Sequence, residues 1–435
     1  MAIIQSETRA GIRQAIGDHL GAVYIGVANG STSTSTLVDS AGLIGGDDDY
    51  IGKWILVTDA TDGTTVNIRR ITDYTASSTT LSFATAMSFT PASSDTYELW
   101  DAEFNPEKVN RIINDCIVEL SDRVLVPDED TSLYGDLNQQ TYTIPSNISM
   151  ISKIQYRHSV DDEELNDASA TKWEAGTSGP ALTTVSSDTV QYREGSNSLN
   201  LLNASSSIAD GTVLAYSNST SATDISDMDK IEFWVKSSSA LTAGSLELEL
   251  WENSATTAPS VAGTKRETLS LPALAARTWT RVELSLSNPE LDTSIQALQF
   301  VSNHASELDS AEIWVNNIKA YRTETEHYET LDNYLWKVNR EDRTLYISSQ
   351  GRGKVFNKKL KIVGFDKPAT LSDDSTAIEI NPTLIVYMAA YRLLMSISGG
   401  RVTDPDDSRS AAGQYRALAE GILRGLSTPQ GVPTV

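Results

Sequence analysis

The chain has 435 residues, 40% of them hydrophobic, and carries 58 acidic against 34 basic side chains, a formal net charge of −24. That length predicts two to four domains, and that charge argues against a tight grip on nucleic-acid phosphates, which needs clustered Lys and Arg. A single cysteine, Cys116, excludes an intramolecular disulfide.

Residues 6–20 read as a short helix, with Ser6 as N-cap, Ile12, Ile16 and Leu20 on one face, and Gly21 as its stop. Residues 22–101 change to a period of two. Lys53–Val57, Val66–Ile71 and Thr79–Phe83 are strand-like, and Asp62-Gly63 is a hairpin signal, so a small barrel is expected. The acidic triplet Asp47–Asp49 lacks the spaced ligands of a calcium loop and reads as a solvated turn.

Asn105-Pro106-Glu107 is a strong helix start: Asn caps, Pro suits the first turn, and Glu complements the dipole. Val109, Ile112, Ile113, Cys116, Ile117 and Leu120 then form an apolar stripe that places Cys116 in a core. Strand character returns over 141–158. From 165 to 322 short alternating strands recur between Ser, Gly and Asn turns, as in Ile231/Phe233/Val235 and Leu246/Leu248/Leu250, which predicts a β-sandwich. Strand-like runs at 335–338, 344–347 and 360–364 are expected to pair with 141–156 in one sheet. Asn381-Pro382 and Asp404-Pro405 open two further helices, 377–398 and 406–426, with Gly399-Gly400 between them. The tail 427–435 holds no charged side chain.

In this order the elements resemble bacteriophage head-to-tail connector proteins of the adaptor type. The motifs that carry the resemblance are Asn105-Pro106-Glu107-Lys108-Val109-Asn110-Arg111, the barrel stretches Gly45–Trp54 and Asp95–Trp100, the strand Leu360–Gly364 and the paired C-terminal helices. Residues 165–322 resemble a carbohydrate-binding-module or galactose-binding-like jelly roll, through Arg193–Leu199 and Trp314–Ile318. The fold expected is therefore α+β and multidomain. A helical adaptor core with a small sheet (1–21, 102–164, 323–435) carries an inserted small β-barrel (22–101) and an inserted β-sandwich of jelly-roll type (165–322). Many relatives of that jelly roll carry Asp, and with it a structural calcium, where this chain has Asn316 and Asn317. Asn is a weaker ligand, and no metal or other cofactor is expected.

The resemblance implies a structural virion protein at the head–tail junction, assembled in the host bacterial cytoplasm. It implies a homo-oligomeric, dodecameric ring that docks on the portal protein, receives the next neck or tail component, and leaves a channel for transient passage of phage DNA. Its portal contacts would come from the last helix and tail: Tyr415, Arg416, Arg424, Leu426, Thr428, Val432 and Val435. The alternative is a glycan-binding virion surface or tail protein. Strand alternation puts Trp234 and Trp251 opposite the aliphatic rows, Trp251 beside Glu249, as a platform for a surface glycan. The competing account of both rings is packing under loops or against another protomer. No P-loop, Ser-His-Asp set or His/Cys metal spacing is readable, and catalysis is not expected.

Overall fold

A computed structural model of the chain describes residues 7–31, 33–166, 172–176, 183–203, 208–252, 263–397 and 405–425. Two compact units emerge. The first holds the chain up to Asp128, Asn147–Ser152 and the chain from Gly364 onward; the second holds Glu129–Ser146 and Lys153–Val363. Among the described residues there are five α-helices: α1 (Arg9–Leu20), α2 (Pro106–Leu120), α3 (Ser349–Val355), α4 (Pro382–Ile397) and α5 (Pro405–Gly425).

The first unit joins four of these helices to a barrel. Helix α1 starts at Thr8, whose hydroxyl accepts the Gly11 N–H at 3.2 Å, and ends at Gly21 with φ +63°. Ser6 lies outside the described residues. Asn105 caps α2 by accepting the Glu107 N–H at 2.8 Å, and the α2 stripe, Cys116 included, is buried. Helices α1, α2, α4 and α5 share a core with Trp100 and Phe104. The barrel strands are β1 (Val23–Val27), β2 (Thr36–Val38), β3 (Trp54–Thr58), β4 (Val66–Thr75), β5 (Thr80–Phe83) and β6 (Thr96–Trp100), hydrogen-bonded in the order β1-β6-β3-β4-β5-β2. Asp47 and Asp49 are turn residues, accepting the Ala76 and Gly46 N–H groups. A buried ionic knot ties α1 to the barrel: Arg13, 1% exposed, donates to both Glu98 carboxylate oxygens at 2.8 Å and meets Asp374 at 2.8 Å.

The second unit is a two-sheet sandwich with two small sheets. Strands β7 (Val126–Asp130), β8 (Thr141–Thr143), β9 (Met150–Ser159) and β10 (Asp162–Asn166) lead into it. The sandwich strands are β11 (Trp173–Ala175), β12 (Thr183–Asp188), β13 (Ser198–Asn203), β14 (Val213–Thr223), β15 (Lys230–Ser237), β16 (Leu246–Glu252), β17 (Thr264–Ser270), β18 (Thr280–Ser285), β19 (Ile295–Ser302) and β20 (Glu312–Tyr321). One sheet runs β12-β13-β20-β15-β18 with β10 also paired to β20; the other runs β11-β14-β19-β16-β17. Alternation sends Ile231, Phe233 and Val235 of the first sheet, and Leu246, Leu248 and Leu250 of the second, into one shared core. Trp173 stacks on Phe300 there, with ring centroids 5.5 Å apart.

Strands β21 (His327–Thr330), β22 (Trp336–Asn339), β23 (Thr344–Ile347) and β24 (Leu360–Asp366) follow. They do not form the single sheet expected with 141–156. They split into β21-β9-β24-β7 and β22-β23-β8.

The expected fold class needs correction. Strand makes up 40% of the structure and helix 22%, so the body is β-sheet rather than a helical adaptor core carrying β decorations. The Ser/Thr-rich stretches 183–188 and 213–223 are paired strands of the sandwich. Helix α3 escaped notice because Gly351 and Gly353 lower its helix propensity.

Asp292 is 1% exposed, with neither carboxylate oxygen hydrogen-bonded. Burial, with the Glu267 carboxylate next in weight, pushes its carboxyl up to about 6. The folded chain therefore keeps a proton that an unfolded chain releases near pH ~4. Its contribution to stability is complete below that pH and is lost as pH rises through about 6. Asp292→Asn should flatten the fall in melting temperature across this interval. An unchanged pH profile would show that Asp292 is already ionised in the native state.

Candidate functional site

The two sandwich sheets present very different outer faces. The outer face of the first sheet is covered. Arg157 of β9 places one guanidinium nitrogen 2.8 and 2.7 Å from the Glu232 carboxylate oxygens, and the other 3.1 Å from Glu326. Arg281 of β18 also pairs with Glu232. Lys359 lies 3.0 Å from Glu283 and 3.4 Å from Glu326, and the Tyr134 hydroxyl donates to Glu283. Three cations thus meet three carboxylates, and Arg157, Glu232 and Lys359 are each under 10% exposed. Burial is the largest single influence on the Arg157 charge and opposes it, yet Glu232, Tyr134 and Glu326 together outweigh it and the guanidinium pKa is raised. Burial likewise works against Glu283, but the Tyr134 hydroxyl and Lys359 hold its carboxyl below the usual range. The Tyr134 hydroxyl is pushed up by burial and by Glu283.

Trp234 belongs to this covered face. It is 3% exposed, its ring centroid is 5.9 Å from that of Tyr134, and the Arg193 and Arg281 guanidiniums sit 4.8 and 5.5 Å from it. Its indole N–H donates to Glu194 at 3.1 Å. The expectation of an open platform at Trp234 is therefore corrected: the side chain points away from the aliphatic row as alternation requires, but the second unit's own residues pack over it. Asn316 is equally committed. Its carbonyl oxygen accepts the N–H groups of Arg193 and Glu194 at 2.9 and 2.6 Å, and its amide donates to the Asn197 carbonyl at 3.0 Å. An Asp here would set a carboxylate against that carbonyl, so Asn suits a site closed by hydrogen bonds. Asn317, at φ +57°, donates to Glu194.

The outer face of the second sheet is organised differently. A row of directly paired residues crosses all five strands: Glu174, Tyr216, Gln299, Glu249 and Thr268. Its two ends, Glu174 and Thr268, are exposed, whereas Tyr216, Glu249 and Gln299 are 3%, 6% and 2% exposed. The Tyr216 hydroxyl donates to Glu174 at 2.7 Å; burial, then this bond, push it up to about 12. Glu249 accepts the Gln299 amide at 2.8 Å and the Trp251 indole N–H at 3.1 Å, and pairs with Lys265 at 3.0 Å. Trp251 is half-buried and directly paired with the small Ala297. The Gln299 carbonyl oxygen is buried without a hydrogen-bond partner. On the other flank Glu247 accepts from Asn303 and Ser270, each at 3.0 Å.

The structure thus brings Trp251 and Glu249 together and leaves Trp234 on the opposite sheet. Sequence reasoning missed Gln299 and Tyr216. Gln299 was legible as the polar position between Leu298 and Phe300, but nothing local marked β14 and β16 as its neighbours.

In the first unit, the Tyr415 hydroxyl donates to the His19 carbonyl at 2.8 Å and its ring packs edge-on against His19. Arg416 pairs with Glu420 at 3.0 Å, and Arg424 lies 3.8 Å from Glu420. Tyr415 is therefore partly used inside the unit. Leu426, Thr428, Val432 and Val435 lie outside the described residues. No helix among the described residues is long and apolar enough to cross a membrane.

No family model and no curated protein matches the chain. Among solved structures, it is similar to the family 11 carbohydrate-binding module of Clostridium thermocellum in complex with a β-1,3-1,4-mixed-linked tetrasaccharide. That match has 17% identity and a TM-score of 0.27, covering 39% of this chain and 99% of that one. The family 30 module of a C. thermocellum cellulosomal cellulase (14%, 0.27; 38% and 99%) and a family 22 xylan-binding domain of Paenibacillus barcinonensis (13%, 0.26; 38% and 100%) are similar to a like extent. Identities and scores this low define neither a family nor a ligand for this chain.

Removing one member of a buried ion-pair set strands its partners. Glu232→Gln, which leaves Arg157 and Arg281 short of a counter-charge, should lower unfolding stability by about 3–5 kcal/mol in urea titration. A change below about 1 kcal/mol would mean that solvent reaches this face.

Proposed function

We propose that the second unit is a non-catalytic carbohydrate-binding module, and that it binds along the outer face of the second sandwich sheet. The observation that carries this reading is the row Glu174–Tyr216–Gln299–Glu249–Thr268, in register across five strands, with Trp251 beside it. Four inter-strand steps span about 19 Å, room for several sugar rings laid across the strands. Sugar recognition needs an apolar ring face plus fixed donors and acceptors. Trp251 supplies the face. Glu249, itself held by the Gln299 amide, fixes the indole in place. Three carboxylates, Glu174, Glu247 and Glu249, face one lysine, Lys265, so neutral polysaccharides fit and polyuronates are repelled. In affinity electrophoresis the protein should be retarded by neutral β-glucans or xylans and not by polygalacturonate. Trp251→Ala and Gln299→Ala should each weaken retention about tenfold or more, while Trp234→Phe should not. Absence of retention in every neutral polysaccharide, or full retention by Trp251→Ala, would refute this reading.

No observation on this chain favours the reading as a head-to-tail adaptor ring docking on a portal protein: Leu418 of α5 is 49% exposed, but a single exposed leucine needs no partner to explain it.

A further inference from the structure

We infer that Asn29 is a site of covalent self-modification: its side-chain amide closes onto the backbone nitrogen of Gly30, and water then opens the ring to isoaspartate or aspartate. Asn29-Gly30 is the only place in the chain where Gly follows Asn. Gly has no Cβ to stand between its own nitrogen and the preceding side chain, and asparagine is a thermolabile residue. The fold adds to both sides of this reaction.

The nucleophile is free. Among the described residues the Gly30 N–H makes no hydrogen bond, while the groups on either side are held. The Asn29 N–H donates to the Val38 carbonyl at 2.7 Å, and the Val38 N–H donates to the Gly30 carbonyl at 3.2 Å. Gly30 sits at φ +106°, and a Cβ placed there would meet nothing nearer than 3.7 Å, so the space around it is open. Asn29 is exposed and solvent reaches it.

The electrophile is prepared. Asn29 Oδ1 accepts the Ser40 backbone N–H and, at 2.9 Å, the Ser40 hydroxyl. Two donors on one amide oxygen draw electrons from Cγ and face the atom on which negative charge develops as nitrogen adds. Solvent hydroxide takes the Gly30 amide proton. The nitrogen bonds to Asn29 Cγ, and the carbonyl π pair moves onto Oδ1. That pair returns as the Cγ–Nδ2 bond breaks, and ammonia leaves with a proton from water, which restores hydroxide. Water then adds to either carbonyl of the cyclic imide and breaks its bond to nitrogen. The sum is amide plus water giving carboxylate plus ammonium, with no change of oxidation state. In the isoaspartate product the main chain runs through the former side chain and is one methylene longer. The two bonds to Val38 close the barrel between the chain after β1 and strand β2, and a lengthened backbone cannot keep both in register. Ageing therefore opens the barrel at this seam.

The full chain, held at mildly alkaline pH either folded or in urea and then digested with trypsin, tests this. Cleavage after Arg13 and Lys53 gives a peptide in which Asn29 is the only asparagine. In the folded chain this peptide should gain the mass difference between amide and acid, and accept methyl groups from an isoaspartyl methyltransferase, sooner than in urea. Ser40→Ala, at an exposed position, removes one of the two donors and should slow the folded reaction about tenfold or more. A folded chain that reacts no faster than the chain in urea would overturn the inference, because the fold would then protect Asn29. So would a Ser40→Ala chain that reacts as fast as the unmodified protein or faster, because the Ser40 bonds would then only restrain the side chain.

Discussion

The second unit depends on one requirement: Glu232, once buried, must be neutralised. A carboxylate out of water costs several kcal/mol unless cations and donors surround it. Here Arg157 and Arg281 do so from different strands, and Glu326, Glu283 and Lys359 balance those cations in turn. A closed set of this kind tolerates only one arrangement of β9 and β24 over β15 and β18. It is a specificity device more than a source of stability, because its Coulombic gain is largely consumed by desolvation.

That requirement also decides where a ligand can bind. Both sandwich sheets have an aliphatic inner face and a polar outer face that carries tryptophan, Trp234 and Trp314 on the first and Trp251 on the second. On the first sheet the outer face is consumed by the ionic set, and Trp234 becomes a packing residue held by Tyr134, Arg193 and Arg281. On the second sheet no such set intervenes. Trp251, Glu249 and Gln299 are joined by hydrogen bonds, and Tyr216 is held by Glu174. A prearranged polar row loses little side-chain entropy when a ligand arrives.

The first unit solves a similar problem on a smaller scale. Arg13 is buried between Glu98 of the barrel and Asp374, and Glu98 also accepts the Trp100 indole N–H at 2.9 Å. This knot explains how a barrel placed between two helices in sequence keeps a fixed relation to α1.

Local chemistry alone determined much of this protein. The Asn105-Pro106-Glu107 cap, the α2 stripe with Cys116, and the inward rows Ile231/Phe233/Val235 and Leu246/Leu248/Leu250 follow from capping and from periods of 3.6 and two, and each is found in place. Alternation also put Trp234 and Trp251 on outer faces. What it could not supply was long-range: which outer face would be covered, that 141–156 would contribute to two sheets rather than one, and that strand would outweigh helix. The residues over Trp234 come from 134 to 281, and the row through Gln299 joins positions from 174 to 268 in an order unrelated to sequence. A strand's periodicity says which side chains face together. Only the tertiary structure chooses the neighbouring strand, and with it whether a face meets charge, core or solvent.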